Sequence, residues 1–154
     1  MKFNKNAFAL MRKQAAFHDR LREEIIKVSR DALALSKKAI YSLHRNETPK
    51  ARLQLGKAKR VIDRLHKMIG KDAHLAATGP YLEALEEYVE AACYYSLLVK
   101  NRLPTPRQLG VDIDTYLPGL CDLVGELVRK AINSAIKGDN RTCLLYTSPS
   151  PRDS

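Results

Sequence analysis

The sequence predicts an all-α fold, and three observations carry the prediction. Apolar residues recur at three- and four-residue steps along almost the whole chain, and no convincing period-2 strand pattern appears. The 154 residues are 45% hydrophobic and 29% charged, with no Trp and only seven Gly and seven Pro. The stretches that break the periodicity, such as "RNETPK" and "NRLPTPRQLGVDID", are rich in turn and cap residues. The length is enough for one domain with a real core.

The first helix covers about 4–44, as one rod or two in line, with Leu21, Ile25, Val28, Ala32, Leu35, Ala39 and Leu43 as its stripe. "RNETPK" ends it at Asn46. Thr48 is the expected N-cap of the second helix, about 49–69, with Pro49 in its first turn and Gly70 as its stop. "DAHLAATGP" is a break, and Pro80 opens a third helix of about 80–101. After the linker, Thr115 or Asp114 caps a fourth helix of about 116–137, Pro118 is tolerated in its first turn, and "KGDN" closes it. No internal repeat is present. One helical domain is therefore expected over 1–141. Residues 142–154 are expected to be an unstructured tail. "CLLYTSPSPRDS" drops the helical pattern, is rich in Ser and Pro, and looks like translated sequencing-adapter sequence, so the natural chain is expected to continue differently.

No apolar run reaches the roughly 18 residues that span a bilayer. "MKFNKNAFALMRKQ" has too short an apolar patch for a signal peptide, so a cytoplasmic location and no membrane partner are expected. Cys93, Cys121 and Cys143 lie far apart without metal-ligand spacing and read as small core residues in a reducing compartment. The net charge of +10 is unevenly spread. Residues 1–70 carry 18 Lys/Arg against 6 Asp/Glu, and residues 71–154 carry 9 against 11. A basic half suggests a polyanion partner.

On the third helix Leu85, Tyr88, Val89, Ala92, Tyr95 and Val99 form the core stripe, and Glu83, Glu86, Glu87 and Glu90 gather opposite it. A solvated face is the ordinary explanation. One or two turns on, however, the same side carries Tyr94, Leu97 and Leu98, which places Glu87 and Glu90 at the edge of a covered region. The fourth helix is apolar on almost every side except one ridge, Asp122, Glu126, Arg129 and Asn133. Buried carboxylates need a cation or a positive side chain. Arg129 could serve Glu126 as a structural ion pair, and that reading stays open. Two helices that face each other with carboxylate pairs would make a pocket suited to Mg2+, with Mn2+ as the alternative ion. A di-iron bundle would want Glu-x-x-His pairs, and no His has that spacing.

In the basic half Lys50, Lys57, Arg60, Arg64 and Lys67 share one side of the second helix. Arg20, Lys27, Arg30, Lys38 and Arg45 share one side of the first, with Tyr41 among them. Solvated stripes explain such patterns as readily as ligand contacts do, but the charge imbalance favours nucleic acid, held by its backbone because aromatic residues are few. Arg20, Lys27, Arg30, Lys38, Arg45, Lys57, Arg60 and Arg64 are the candidate contacts.

The segments "HDRLREEIIKVSRDALALSKKAIYSLHR" (18–45), "EEYVEAACYYSLL" (86–98) and "YLPGLCDLVGELVRKAINSAIKGD" (116–139) resemble the translin family, and its translin-associated factor X branch more than translin itself. The short connections suggest a compact archaeal-type member. The resemblance implies an antiparallel helical bundle that assembles as a homo-oligomer, an octameric shell, and binds single-stranded RNA or single-stranded DNA. For the factor X branch it also implies a Mg2+-dependent endoribonuclease. Its E-x-x-E pair and the Asp of its Asp-Leu-x-Gly-Glu run fall here on Glu87, Glu90 and Asp122, with Glu126 as a fourth metal ligand. Family members continue with further helices after the Gly-Asp at 138–139, so a C-terminally truncated chain is expected. The alternative is a non-catalytic single-stranded RNA- and DNA-binding protein, as translin largely is.

Overall fold

A computed structural model describes residues 5–139; the tail at 142–154, with Cys143, lies outside the described residues. These form six helices and no strand: α1 (Lys5–His44), α2 (Thr48–Ile69), α3 (Ala73–Ala76), α4 (Gly79–Lys100), α5 (Pro106–Leu109) and α6 (Ile113–Ile136). None is long and apolar enough to cross a membrane. At about 1.5 Å per residue the 40 residues of α1 reach roughly 60 Å. Its first turns run beyond the bundle, and burial begins in earnest at Ile25.

The stripe expected on α1 faces the core, with Ile25, Val28, Ala32, Ala39 and Leu43 buried. The reversal after α1 is tight because Asn46 adopts a left-handed φ of 59°, which Asn tolerates better than most residues. α2 therefore returns antiparallel along α1, tied to it by Arg64 and Glu24 at 2.9 Å, while His18 of α1 meets Asp72, just past the end of α2, at 3.1 Å. It begins one residue before the expected start. Glu47 holds the N-cap position, and both Thr48 and Pro49 lie in the first turn, where a missing proline N–H costs nothing. Within the "DAHLAATGP" break Asp72 caps the short α3, accepting from the His74 and Leu75 amides. The chain then enters α4, which runs antiparallel to α2, with Tyr81 beside His66, and packs on α1 and α2.

Three expectations for the last helix need correction. Asp112, not Asp114 or Thr115, is the N-cap, because its carboxylate reaches the Thr115 amide at 2.8 Å. Pro118 consequently lies inside α6, beyond the first turn. The carbonyl it leaves without a donor, four residues back at Asp114, is at an exposed position. Finally, α6 is not buried all round. Leu117, Val124, Val128, Ile132 and Ile136 are exposed, because α6 packs chiefly on α4 and its far side has no layer over it among the described residues. Val99, in the last turn of α4, is exposed as well, and so is Cys121 on the open side of α6, whereas Cys93 is the core residue expected.

Gly119 sets the seat of α6 on α4. A Cβ there would lie 2.7 Å from the Glu86 carbonyl oxygen and 2.8 Å from the Val89 Cβ, so the two helices approach this closely only over a glycine. One and two turns further on, the same ridge carries Asp122 and Glu126 towards the glutamates of α4.

Candidate active site

Exposure along the glutamate face of α4 falls as the helix enters the bundle. Glu83 is exposed, Glu86 and Glu87 are half-buried, and Glu90 is only 7% exposed. The expected edge of a covered region is thus where Glu87 and Glu90 sit. Asp122 and Glu126 arrive from α6, and all four carboxylates line one cavity of about 460 Å³. Asp122 is an exposed residue, against the expectation of a buried one, since it stands at the open side of α6; Glu126 is half-buried.

The cavity also contains groups that the sequence did not single out. α1 contributes Lys37, whose ammonium lies 3.7 Å from the Glu87 carboxylate, together with Ile40 and Tyr41. His44, one turn past Ile40, bonds through Nε2 to the Glu126 carboxylate, and its Nδ1 lies 3.5 Å from the Tyr94 hydroxyl. Arg129 reaches the other Glu126 oxygen at 3.6 Å, so the ion pair foreseen within α6 exists, with His44 as a second partner. No histidine of the sequence has the Glu-x-x-His spacing of a ligand pair. The available signal was the i, i+3, i+4, i+7 series Lys37, Ile40, Tyr41 and His44, which marks one side of α1.

Crowding of acids leaves its mark on ionisation. Burial pushes Glu90 up to about 8, and the charges of Glu87, Glu126 and Asp122 push the same way against a smaller opposing pull from Lys37. Burial also raises Glu87, opposed by Lys37, and raises Glu86, reinforced by Asp122 and Glu83. A dication is the group that relieves such mutual repulsion, and an all-oxygen donor set suits Mg2+ or Mn2+. As they stand, no three His, Cys, Asp or Glu side chains among the described residues converge tightly enough to enclose an ion. That still fits Mg2+, which keeps several waters and takes one or two carboxylates directly.

All eight candidate nucleic-acid contacts, Arg20, Lys27, Arg30, Lys38, Arg45, Lys57, Arg60 and Arg64, are exposed, yet none lines the acidic cavity. Those on α1 lie on the side of the helix next to Lys37 and Tyr41. Those on α2 are elsewhere, since α2 contributes nothing to this cavity. Arg64 is engaged by Glu24, and Arg45 by Glu47 at 3.4 Å. The structure thus splits the expected basic face in two, and the cations at the acids themselves are Lys37 and Arg129.

Fold and site define a class: all-helical proteins in which acids from two crossing helices share a cleft edged by lysine and arginine. The translin family model matches residues 20–148, and the chain belongs to that family. It is 28% identical over 127 residues to an uncharacterized protein of Methanocaldococcus jannaschii, a match over 79% of this chain and 54% of the relative. The chain therefore spans about half the length of that curated relative. Among solved structures it is similar to apo-NeC3PO, with a TM-score of 0.81 and 26% identity over 99% of this chain and 88% of the other. It is also similar to AfC3PO, with a TM-score of 0.78 and 26% identity over 88% and 70% of the two chains. AfC3PO in complex with duplex RNA matches with a TM-score of 0.74 and 25% identity over the same shares.

Proposed function

We propose that this chain is a Mg2+-dependent endoribonuclease of the factor X type that cuts single-stranded RNA, working in the cytoplasm as a homo-oligomer. The observation that carries the reading is the meeting of Glu87, Glu90, Asp122 and Glu126 in one cavity edged by Lys37 and Arg129. Glu87, Glu90 and Asp122 hold the ion, and Glu126, oriented by His44 and Arg129, is the fourth candidate ligand. Bound there, Mg2+ or Mn2+ supplies a lowered pKa for attacking water and neutralises charge on the phosphate. Lys37 and Arg129 lie where they attract the scissile phosphate. Lys38, Arg30 and Lys27 on the adjoining side of α1 hold the strand by its backbone, and Lys57, Arg60 and Arg64 supply a separate contact region on α2. The exposed apolar side of α6 supports assembly of identical subunits, and the family resemblance points to an octameric shell.

Binding of single-stranded RNA or DNA without cleavage is the second reading. The incomplete convergence of the acids favours it, while the AfC3PO complex with duplex RNA supports nucleic-acid binding under either reading. Labelled single-stranded RNA incubated with the protein in Mg2+ or in EDTA, beside Glu90→Gln, separates the two. Cleavage that requires both Mg2+ and Glu90 is the expected result. A retarded but intact strand under every condition would establish binding alone.

A further inference from the structure

At about 100° per residue, Tyr88, Ala92, Tyr95 and Ser96 occupy the side of α4 opposite Glu87 and Glu90. They line a second cavity of about 370 Å³, and no residue of it belongs to the acidic one. Its chemistry is reversed. Arg52, Lys59, Lys100 and Arg102 stand around it, and no carboxylate lines it. Lys59 is paired with Asp63, while Arg52, Lys100 and Arg102 have no anionic partner among the described residues.

Three further features tell against a merely solvated cluster. Tyr88 is only 6% exposed and lines the cavity. Burial, with smaller contributions from Asp63 and Cys93, pushes its ionisation up to about 12, so it remains a neutral donor. Gly56 sits in the middle of α2, where glycine costs about 1 kcal/mol relative to alanine. The space its Cβ would occupy is empty, so the wall is left open at this point. The third feature is a fixed wall. Asn101, with a left-handed φ of 50°, ends α4 and turns the chain back. The Tyr116 hydroxyl donates to the Pro104 carbonyl at 2.7 Å, and Thr105 and Gln108 form a capping box, so Arg102 is carried by a pinned turn.

We infer that this cavity binds a nucleoside monophosphate, its phosphate among Arg52, Lys100 and Arg102 and its base against Tyr88 and Tyr95. Cations match the phosphate, the half-buried Tyr95 ring offers a stacking surface to any base, and the volume falls within the roughly 300–1,000 Å³ usual for small-ligand sites. The ligand is either a free mononucleotide or the 5′-phosphorylated end of a strand. Neither source depends on the nuclease reading.

Calorimetric titrations in EDTA use three probes: adenosine 5′-monophosphate, inorganic phosphate, and an RNA trinucleotide with and without a 5′-phosphate. The proteins are the wild type, the double variant Arg52→Gln/Arg102→Gln, Gly56→Leu, and Glu90→Gln as a control for the acidic site. Circular dichroism verifies that each is folded. Adenosine 5′-monophosphate is expected to bind the wild type and Glu90→Gln alike, and about tenfold or more weakly to the other two variants, the loss expected when hydrogen bonds to charged groups are removed. If only the 5′-phosphorylated trinucleotide shows that pattern, the ligand is a strand end. Binding that is unaltered in both cavity variants, or inorganic phosphate binding as tightly as the nucleotide, would overturn the inference.

Discussion

Replacement of Glu90 by glutamine should stabilise the protein at high pH and remove the proposed metal-dependent cleavage. In the folded chain Glu90 is pushed from 4.5 up to about 8 by burial and by Glu87, Glu126 and Asp122. Between those values the folded state keeps a proton that the unfolded chain has released. The stability it contributes is therefore full below the unfolded value and is lost as pH rises towards the folded one. At about 1.4 kcal/mol per unit, the loss is on the order of 3 kcal/mol at neutral pH and 5 kcal/mol above pH 8. Against a typical total of about 5–15 kcal/mol this is a large term. Glutamine keeps the shape and removes the charge. It should match the wild type to within about 1 kcal/mol near pH 5, where the acid is protonated, and exceed it by several kcal/mol near pH 9. At about 2–4 °C per kcal/mol for a chain of this size, the melting temperature should rise by on the order of 10 °C at the alkaline end. Thermal melts followed by circular dichroism in EDTA across that range provide the assay. A gap that does not widen with pH, or a variant less stable at pH 9, would refute the placement of Glu90 in a desolvated cluster of acids.

Mg2+ should raise the melting temperature of the wild type near pH 8 but not that of Glu90→Gln, and its binding near neutrality should release protons, readable by calorimetry in buffers of different ionisation enthalpy. His44→Ala leaves Glu126 to Arg129 alone. A loss of about 10–100-fold in Mg2+ affinity is expected, partly recovered in His44→Gln, and unchanged affinity would show that the histidine does not orient the ligand. Gly119→Ala forces a methyl onto the Glu86 carbonyl and Val89. It should lower the urea midpoint by the equivalent of about 1–3 kcal/mol. Gly125→Ala, with nothing within 4 Å of its Cβ, should raise the midpoint by up to about 1 kcal/mol through helix propensity. Neutralising Lys38 and Arg30 should weaken RNA binding and flatten its salt dependence without altering cleavage of bound strand, as measured by anisotropy across a salt series.

The helices and most of their limits were legible in the chain, because periodicity and punctuation are local. A stripe such as Ile25, Val28, Ala32 and Ala39 can be buried in only one way, and Asn46, Gly70 and Pro80 mark ends through their own backbone preferences. The grouping of Glu87 with Glu90 and of Asp122 with Glu126 was legible for the same reason. Caps competed at short range, and Asp112 won because its carboxylate, not that of Asp114, meets the Thr115 amide. Which faces meet was not written in any single helix. Periodicity assigns an angle about a helix's own axis and leaves the neighbour unspecified. The close contact at Gly119 brought Asp122 and Glu126 onto α4, and the antiparallel return of α2 carried three of the eight candidate basic contacts away from the acids. Residues distant in sequence then became partners: His44 of Glu126, Lys37 of Glu87, and Arg52 a neighbour of Arg102 across the tyrosine cavity. These contacts depend on packing between helices, where a shift of one turn would have paired different side chains from the same sequence.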